Sequence, residues 1–341
     1  MDIWRGLDNV PADLKGSVVT IGVFDGLHRG HQSLITQAKK QSVERGVPCV
    51  MVTFDPHPIA VFLPGQQPTK LATLDYRLNL AAEMGVDAAL VIDFTKELAG
   101  LSPEEYFRTM LVERLHAQLV VVGENFTFGV NGSGTDETMR ALGKQYGVDV
   151  TIAPLLHDDN QRICSTLVRN FLDKGEIENA NCALGRRYAV RGEVVRGAGR
   201  GGKELGYPTA NLYLPTSVAL PADGVYAGWF TITDDREIDK EISRDIDGDM
   251  VPGVRYPTAI SVGTNPTFGD ERRSVEAFVM DREADLYGHH VMVEFVGHLR
   301  DMVKFNGVDE LLDAMARDVS NARDILAKDQ ALIDAETQPH R

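Results

Sequence analysis

Short apolar runs alternate with helix-period segments through the first half of the chain. Residues 18–24, 48–54, 88–92, 119–123 and 148–152 are β-branched or nearly continuously apolar and read as buried strands. Between them, residues 30–44, 73–84, 103–116 and 135–146 carry helix-period patterns. This alternation predicts a mostly parallel, Rossmann-like α/β sheet covered on both faces, with ligands beyond the carboxyl ends of its strands. After about residue 186 the pattern changes. Residues 188–195, 225–233, 258–263, 274–280 and 289–295 read as strands separated by glycine, proline and asparagine turns, and 308–333 as a long helix. A small antiparallel β-barrel or sandwich with a C-terminal helix fits this half. Two domains are therefore expected, over 1–186 and 187–341.

Composition narrows the picture only slightly. The 341 residues are ordinary for a soluble globular protein, at 43% hydrophobic and 25% charged. A formal charge of −15 argues against general nucleic-acid binding while allowing a local basic pocket. No apolar run is long enough for a membrane span, and no signal-like segment opens the chain. Cys49, Cys164 and Cys182 are too far apart for a metal-binding pair, and a reducing cytoplasm is expected. Cys49 falls in a strand pattern and reads as a small core residue. Residues 234–249, with eight acidic and three basic side chains, read as a solvated excursion.

The chemistry begins at Gly22-Val23-Phe24-Asp25-Gly26-Leu27-His28-Arg29-Gly30-His31. A strand runs into a glycine-rich turn and then a helix N-terminus, where free backbone N–H groups favour an anion. His28 and His31 are spaced to lie on one side of the first helical turn. The Walker lysine is absent, so P-loop binding is excluded. Further polar groups fall after other strands: Asp55-Pro56-His57-Pro58 after the second and Asn125 after the fourth. Asn125 also has a structural reading, as an Asx-turn. Phe54 and Phe62 offer aromatic surface, with core packing as the alternative. In Arg162-Ile163-Cys164-Ser165-Thr166-Leu167-Val168-Arg169, Ser165 or Thr166 caps a helix, and the arginines are placed to carry negative charge.

With the decapeptide, Asn125–Gly129 and Arg162–Arg169 in view, the first half resembles the adenylyltransferase module of bacterial bifunctional riboflavin kinase/FAD synthetases. The resemblance implies a nucleotidyltransferase fold in which the FMN phosphate attacks the α-phosphorus of ATP, giving FAD and pyrophosphate. It implies phosphate or nucleotide contacts for Gly22, Phe24, Asp25, Gly26, His28, Gly30, His31, Asn125, Arg162, Ser165, Thr166 and Arg169. His28, His31 and Arg169 are the residues placed nearest the chemistry. It also puts the Asp55–Pro58 loop near the flavin nucleotide. The chain departs from the family in carrying Cys164 where Ser is usual.

The second half adds Gly197-Ala198-Gly199-Arg200-Gly201-Gly202, flexible enough to close over phosphates, and Gly206-Tyr207-Pro208-Thr209-Ala210-Asn211. The threonine hydroxyl and asparagine carbonyl suit Mg²⁺ already held by ATP phosphates. With Pro266-Thr267-Phe268, Arg273–Glu276, Leu286–Gly288 and Phe295–Arg300, these segments resemble the riboflavin kinase module of the same family. The resemblance implies Thr209 and Asn211 at Mg²⁺–ATP, with Gly197, Gly199, Gly201, Gly202 and Pro208 around the nucleotide. Glu276 is then the base toward the riboflavin 5′-hydroxyl, and Arg300 a substrate contact or a structural ion pair. The expected partners are ATP, riboflavin and FMN, with no nucleic acid and no membrane; a homo-oligomer is allowed. Two competing readings are an adenylyltransferase for another phosphorylated small molecule and a non-catalytic flavin-binding protein.

Overall fold

The structure, a computed structural model, describes residues 1–196, 207–233, 246–264 and 273–337. By contact the chain divides into two units, Met1–Ser165 and Thr166–Arg341.

The first unit is built on six strands: β1 (Asp2–Arg5), β2 (Ser17–Ile21), β3 (Cys49–Phe54), β4 (Ala88–Ile92), β5 (Ala117–Gly123) and β6 (Asp149–Ala153). Their order is β1-β4-β3-β2-β5-β6, every pairing parallel. The parallel ladder follows from crossovers through α1 (Arg29–Arg45), α3 (Leu74–Glu83) and α6 (Asp136–Tyr146), with α2 (Pro58–Phe62) and α4 (Lys96–Ala99) as short additions. Residues 103–116 were expected as one helix. They form α5 (Pro103–Tyr106), which continues as π-helical turns over Phe107–Arg114. All five residues of β2 and all six of β3 are buried, as strands covered on both faces must be. Cys49 belongs to that core, and burial, with Asp87 adding to it, pushes its thiol up to about 12. Edge strand β1 has one buried residue in four, too short and mixed a pattern to read from the sequence. Two-residue strands β7 (His157–Asp158) and β8 (Gln161–Arg162) form a small ladder.

The second unit opens with α7 (Ser165–Asp173), whose first residue ends the first unit, and α8 (Ile177–Leu184). The closed antiparallel barrel follows, in order β10-β14-β13-β11-β16-β9. Its strands are β9 (Tyr188–Val195), β10 (Ala210–Tyr213), β11 (Gly224–Ile232), β13 (Arg255–Thr264), β14 (Arg273–Val279) and β16 (His290–Asp301). Tyr188, Tyr226, Phe230 and Phe295 fill it, each under 2% exposed. The C-terminal helix α9 (Val308–Thr337) lays Ala322 and Leu326 on Ala227, Trp229 and Met280. Asp329 fastens it, accepting from Trp229 Nε1 at 2.6 Å and from Arg187 Nη2 at 2.6 Å.

The sequence expectation drew the division at 186/187; by contact it falls after Ser165 because α7 and α8 serve the barrel. Asn181 of α8 donates to the Phe295 carbonyl at 2.9 Å and accepts from the Tyr188 N–H at 2.6 Å, while Leu172 of α7 accepts from the Ala222 N–H at 2.8 Å. The acidic excursion lies outside the described residues over 234–245. Its far end forms β12 (Asp247–Gly248), paired with β15 (Ala284–Asp285).

Candidate functional sites

After β2 the chain makes a turn that ordinary side chains rarely allow. Phe24 (φ 53°), Gly26 (φ 77°) and Leu27 (φ 36°) all take positive φ. A Cβ on Gly26 would lie 2.9 Å from Leu71, so glycine is needed there for both space and φ. The Asp25 carboxylate, 6% exposed, accepts from the N–H of Leu71 (3.0 Å) and of Ala72 (3.2 Å). Ser165 Oγ donates to the Asp25 carbonyl at 2.9 Å, tying the start of α7 to the turn.

His28 caps α1: its Nδ1 accepts from the His31 N–H across a long 3.4 Å contact. In neutral His28 that leaves the proton on Nε2, a form able to donate to an anion. The rings of His28 and His31 stack with centroids 3.6 Å apart, and Phe24 meets His31 edge-on at 5.2 Å. The pairing expected from spacing is therefore present as a stacked pair at the N-terminus of a 17-residue helix.

A cavity of about 640 Å³ opens on this turn. Its lining includes Gly22, His28, Gly30, His31, Arg162 and Cys164. Phe54, Phe62, Phe94, Tyr106, Phe126 and Phe128 also line it, as do Asn125 and Gly129. The rings meet in two groups, Phe54 and Phe62 on Phe94 at 5.5 and 5.9 Å, and Tyr106 and Phe126 on Phe128 at 5.6 and 5.9 Å. Burial pushes the Tyr106 hydroxyl pKa upward, and that buried oxygen has no hydrogen-bond partner among the described residues. A volume of this size, apolar over much of its wall with a few convergent polar groups, is that of a small-molecule site.

Of the residues expected here, Gly22, Phe24, His28, Gly30, His31, Asn125 and Arg162 line the cavity. Asp25 and Gly26 do not; their work is in shaping the turn. Ser165 anchors through Asp25, Thr166 is exposed at the start of α7, and Arg169 stands one turn further along that helix. His57 caps α2, its Nδ1 accepting from the Ile59 N–H at 3.1 Å. Phe94, Tyr106, Phe126 and Phe128 were missed as a group. Phe94 and the Phe126–Phe128 pair follow the carboxyl ends of β4 and β5, and asking which aromatics follow strand ends would have found them.

The barrel unit supplies a second cluster. Its register puts Asn211 of β10 directly opposite Glu276 of β14, which is in turn opposite Ser261 of β13. Opposed residues share a sheet face, with Cβ atoms about 5 Å apart. The shared face is the one opposite buried Val275 and Ala277. Asn211, 8% exposed, donates from Nδ2 to the Thr209 carbonyl at 3.3 Å and Oγ1 at 3.5 Å, and Pro208 precedes them at the surface. Arg300 pairs with α9, its Nε 3.0 Å from Asp318 Oδ1 and its Nη2 2.8 Å from Oδ2, while its Nη1 donates to the Asp301 carbonyl at 3.1 Å. Its contacts thus favour the ion-pair alternative. Gly197, Gly199, Gly201 and Gly202, with Pro266-Thr267-Phe268, lie outside the described residues.

With both clusters placed, comparison with known proteins settles the family. The sequence pattern of the FAD synthetase family matches residues 10–167, and that of riboflavin kinase matches residues 184–326. The chain is 34% identical over 328 residues to the bifunctional riboflavin kinase/FMN adenylyltransferase of Pseudomonas fluorescens, covering 96% of this chain and 98% of that protein. It is 32% identical over 325 residues to the Escherichia coli K12 protein of the same name, covering 95% and 97%.

The chain belongs to the bifunctional riboflavin kinase/FMN adenylyltransferase family.

A FAD synthetase module and then a riboflavin kinase module thus share one chain, in the order expected from the histidine turn and the Pro-Thr-Ala-Asn segment. A solved structure described as a macrolide-efflux protein from Streptococcus pneumoniae has the same fold at a TM-score of 0.81 and 30% identity, covering 95% of this chain and 99% of that one. No described helix of this family member is long and apolar enough to cross a membrane.

Proposed function

We propose that the cavity of the first unit transfers the adenylyl group of ATP to the FMN phosphate, and that the Thr209–Asn211–Glu276 cluster phosphorylates the riboflavin 5′-hydroxyl. The observation that carries the first assignment is a single cavity lined by both kinds of group. Polar groups at a helix N-terminus suit a triphosphate, and aromatic rings suit a flavin. The FMN phosphate is already ionised near neutral pH, so no protein nucleophile is needed. Positioning and charge stabilisation then carry the step. His28, His31 and Arg162 hold phosphate oxygens, and Asn125 orients the reacting phosphates. Phe54, Phe62 and Phe128 present faces to the isoalloxazine, and the Tyr106 hydroxyl meets a polar edge of that ring.

In the barrel, the Thr209 hydroxyl and Asn211 amide oxygen are hard oxygen donors of the kind Mg²⁺ prefers. Among the described residues no group of three His, Cys, Asp or Glu could cage a metal, which fits an ion shared with ATP phosphates. When bound, Mg²⁺ neutralises charge on the transferring phosphates. Glu276 accepts the proton of the 5′-hydroxyl, a poor nucleophile until that proton leaves. Its place opposite Asn211 puts base and nucleotide ligand on one face. Arg300 anchors α9. Three free cysteines and the net negative charge support a cytoplasmic enzyme of small molecules.

The test follows riboflavin, FMN and FAD by chromatography after adding ATP and Mg²⁺ to the purified chain, with a parallel reaction started from FMN. FMN followed by FAD supports both assignments. FAD from FMN but none from riboflavin overturns the barrel assignment, and FMN accumulation alone overturns that of the cavity.

A further inference from the structure

Arg77 is a charged residue where a hydrophobe would be expected. It lies on α3, 5% exposed, and does not line the cavity. Burying a guanidinium is costly unless its donors are satisfied, and an apolar residue of similar volume often serves stability better. Burial lowers the pKa of this guanidinium while the charges of Asp25 and Asp55 oppose that shift.

What Arg77 holds is informative. Its Nη1 donates to the Val23 carbonyl and its Nη2 to the Phe54 carbonyl, the latter at 3.5 Å. Val23 enters the histidine turn after β2, and Phe54 ends β3 just before the Asp55–Pro58 loop. The Val23 carbonyl also accepts from Thr53 Oγ1 at 3.0 Å, a second tie between the same two strand ends. The segment leading to Arg77 adds others: Leu71 and Ala72 N–H groups on the Asp25 carboxylate, and Lys70 Nζ 3.5 Å from Asp55 Oδ1. One stretch, residues 70–77, is thus tied to both loops.

Adenylyl transfer joins two separately bound substrates, so its rate depends on the separation and alignment of their subsites. We propose that Arg77 is a positioning residue for this step, its planar guanidinium fixing the loop that grips the triphosphate relative to the loop beside the flavin. This rests on the assignment of the cavity made above. A lysine keeps the charge but cannot present a rigid fork to two carbonyls.

The test uses the full chain as wild type, Arg77→Lys and Thr53→Val. For each, kcat and KM for FAD formation from FMN are measured with separate dissociation constants for ATP–Mg²⁺ and FMN, and riboflavin phosphorylation is followed in the same samples. Misalignment of about 1 Å costs on the order of 100-fold. Arg77→Lys is therefore expected to lower kcat by about 30-fold or more, and Thr53→Val by a smaller factor. Each substrate alone should still bind within about threefold of wild type, and kinase turnover should be unchanged, because the reacting atoms are displaced rather than the sites lost. A folded Arg77→Lys protein with kcat near wild type overturns the proposal. A loss expressed wholly as weaker binding of either substrate also overturns it. If Arg77→Lys does not fold, Thr53→Val decides, and unchanged kcat there overturns the proposal. Failure of the wild type to form FAD would instead remove the cavity assignment itself.

Discussion

Replacing Gly30 with alanine should move stability and activity in opposite directions. Gly30 is the second residue of α1 and is not among the positive-φ glycines, so alanine meets no backbone strain. An added Cβ would sit 3.1 Å from both Cε1 and Nδ1 of His28 and 3.5 Å from the Ile163 carbonyl oxygen. The first two contacts are a few tenths of an ångström too close, so the His28 ring must shift. Alanine in a helix is worth up to about 1 kcal/mol over glycine. Displacing the ring takes back part of that gain, so net stability should change by roughly 0 to +1 kcal/mol, a rise of no more than about 4 °C in Tm. The reaction fares differently. The ring that must shift belongs to His28, one of the groups assigned above to phosphate oxygens. Losing one hydrogen bond to a charged group costs about 1.5–3 kcal/mol, roughly 10- to 100-fold in rate or affinity. The assay is FAD formation from FMN over a range of ATP concentrations, with riboflavin phosphorylation in the same sample as a control on the barrel unit. Scanning calorimetry gives the stability term. FAD formation within threefold of wild type and an unchanged KM for ATP would refute phosphate binding at this turn.

Three other outcomes test separate parts of the reading. Glu276→Gln should lower riboflavin phosphorylation by about 10²- to 10⁴-fold while FAD formation from added FMN stays at its wild-type rate, measured by chromatography. At pH 8 a thiol reagent should label Cys182 and Cys164 but leave Cys49 intact in the native protein, because burial holds the Cys49 thiol up at about 12; ATP should slow labelling of Cys164 alone, as read by peptide mass spectrometry. Asp329→Ala strips Arg187 and Trp229 of a shared acceptor whose side chain is only 13% exposed. Calorimetry should show the barrel transition destabilised by roughly 3 kcal/mol, with adenylyltransferase activity retained at temperatures below it.

Much of this protein was decided locally, and so was legible in its sequence. Strands β2 to β5 are buried on both faces, which makes their sequences largely apolar, and the helices between them carry one apolar stripe each. The histidine turn was equally plain, because positive φ at Gly26 and a helix N-terminus at His28 are demands on adjacent residues. What depends on residues distant in the chain was not. The aromatic lining of the cavity gathers Phe54 from the last position of β3, Tyr106 from the last of α5 and Phe128 from the segment after β5, and no local period marks such a convergence. The register opposing Asn211 to Glu276 spans 65 positions of sequence and is set by barrel closure. Arg300 could be given two roles until Asp318, on a helix folded back over the barrel, was seen to occupy it. Arg77 gave no sign at all, since on an amphipathic helix an arginine reads as a solvated face. Periodicity along a chain reports which side of an element is buried, whereas contact partners are set by how the elements pack, and only tertiary structure could show that Arg77 is buried between two strand ends.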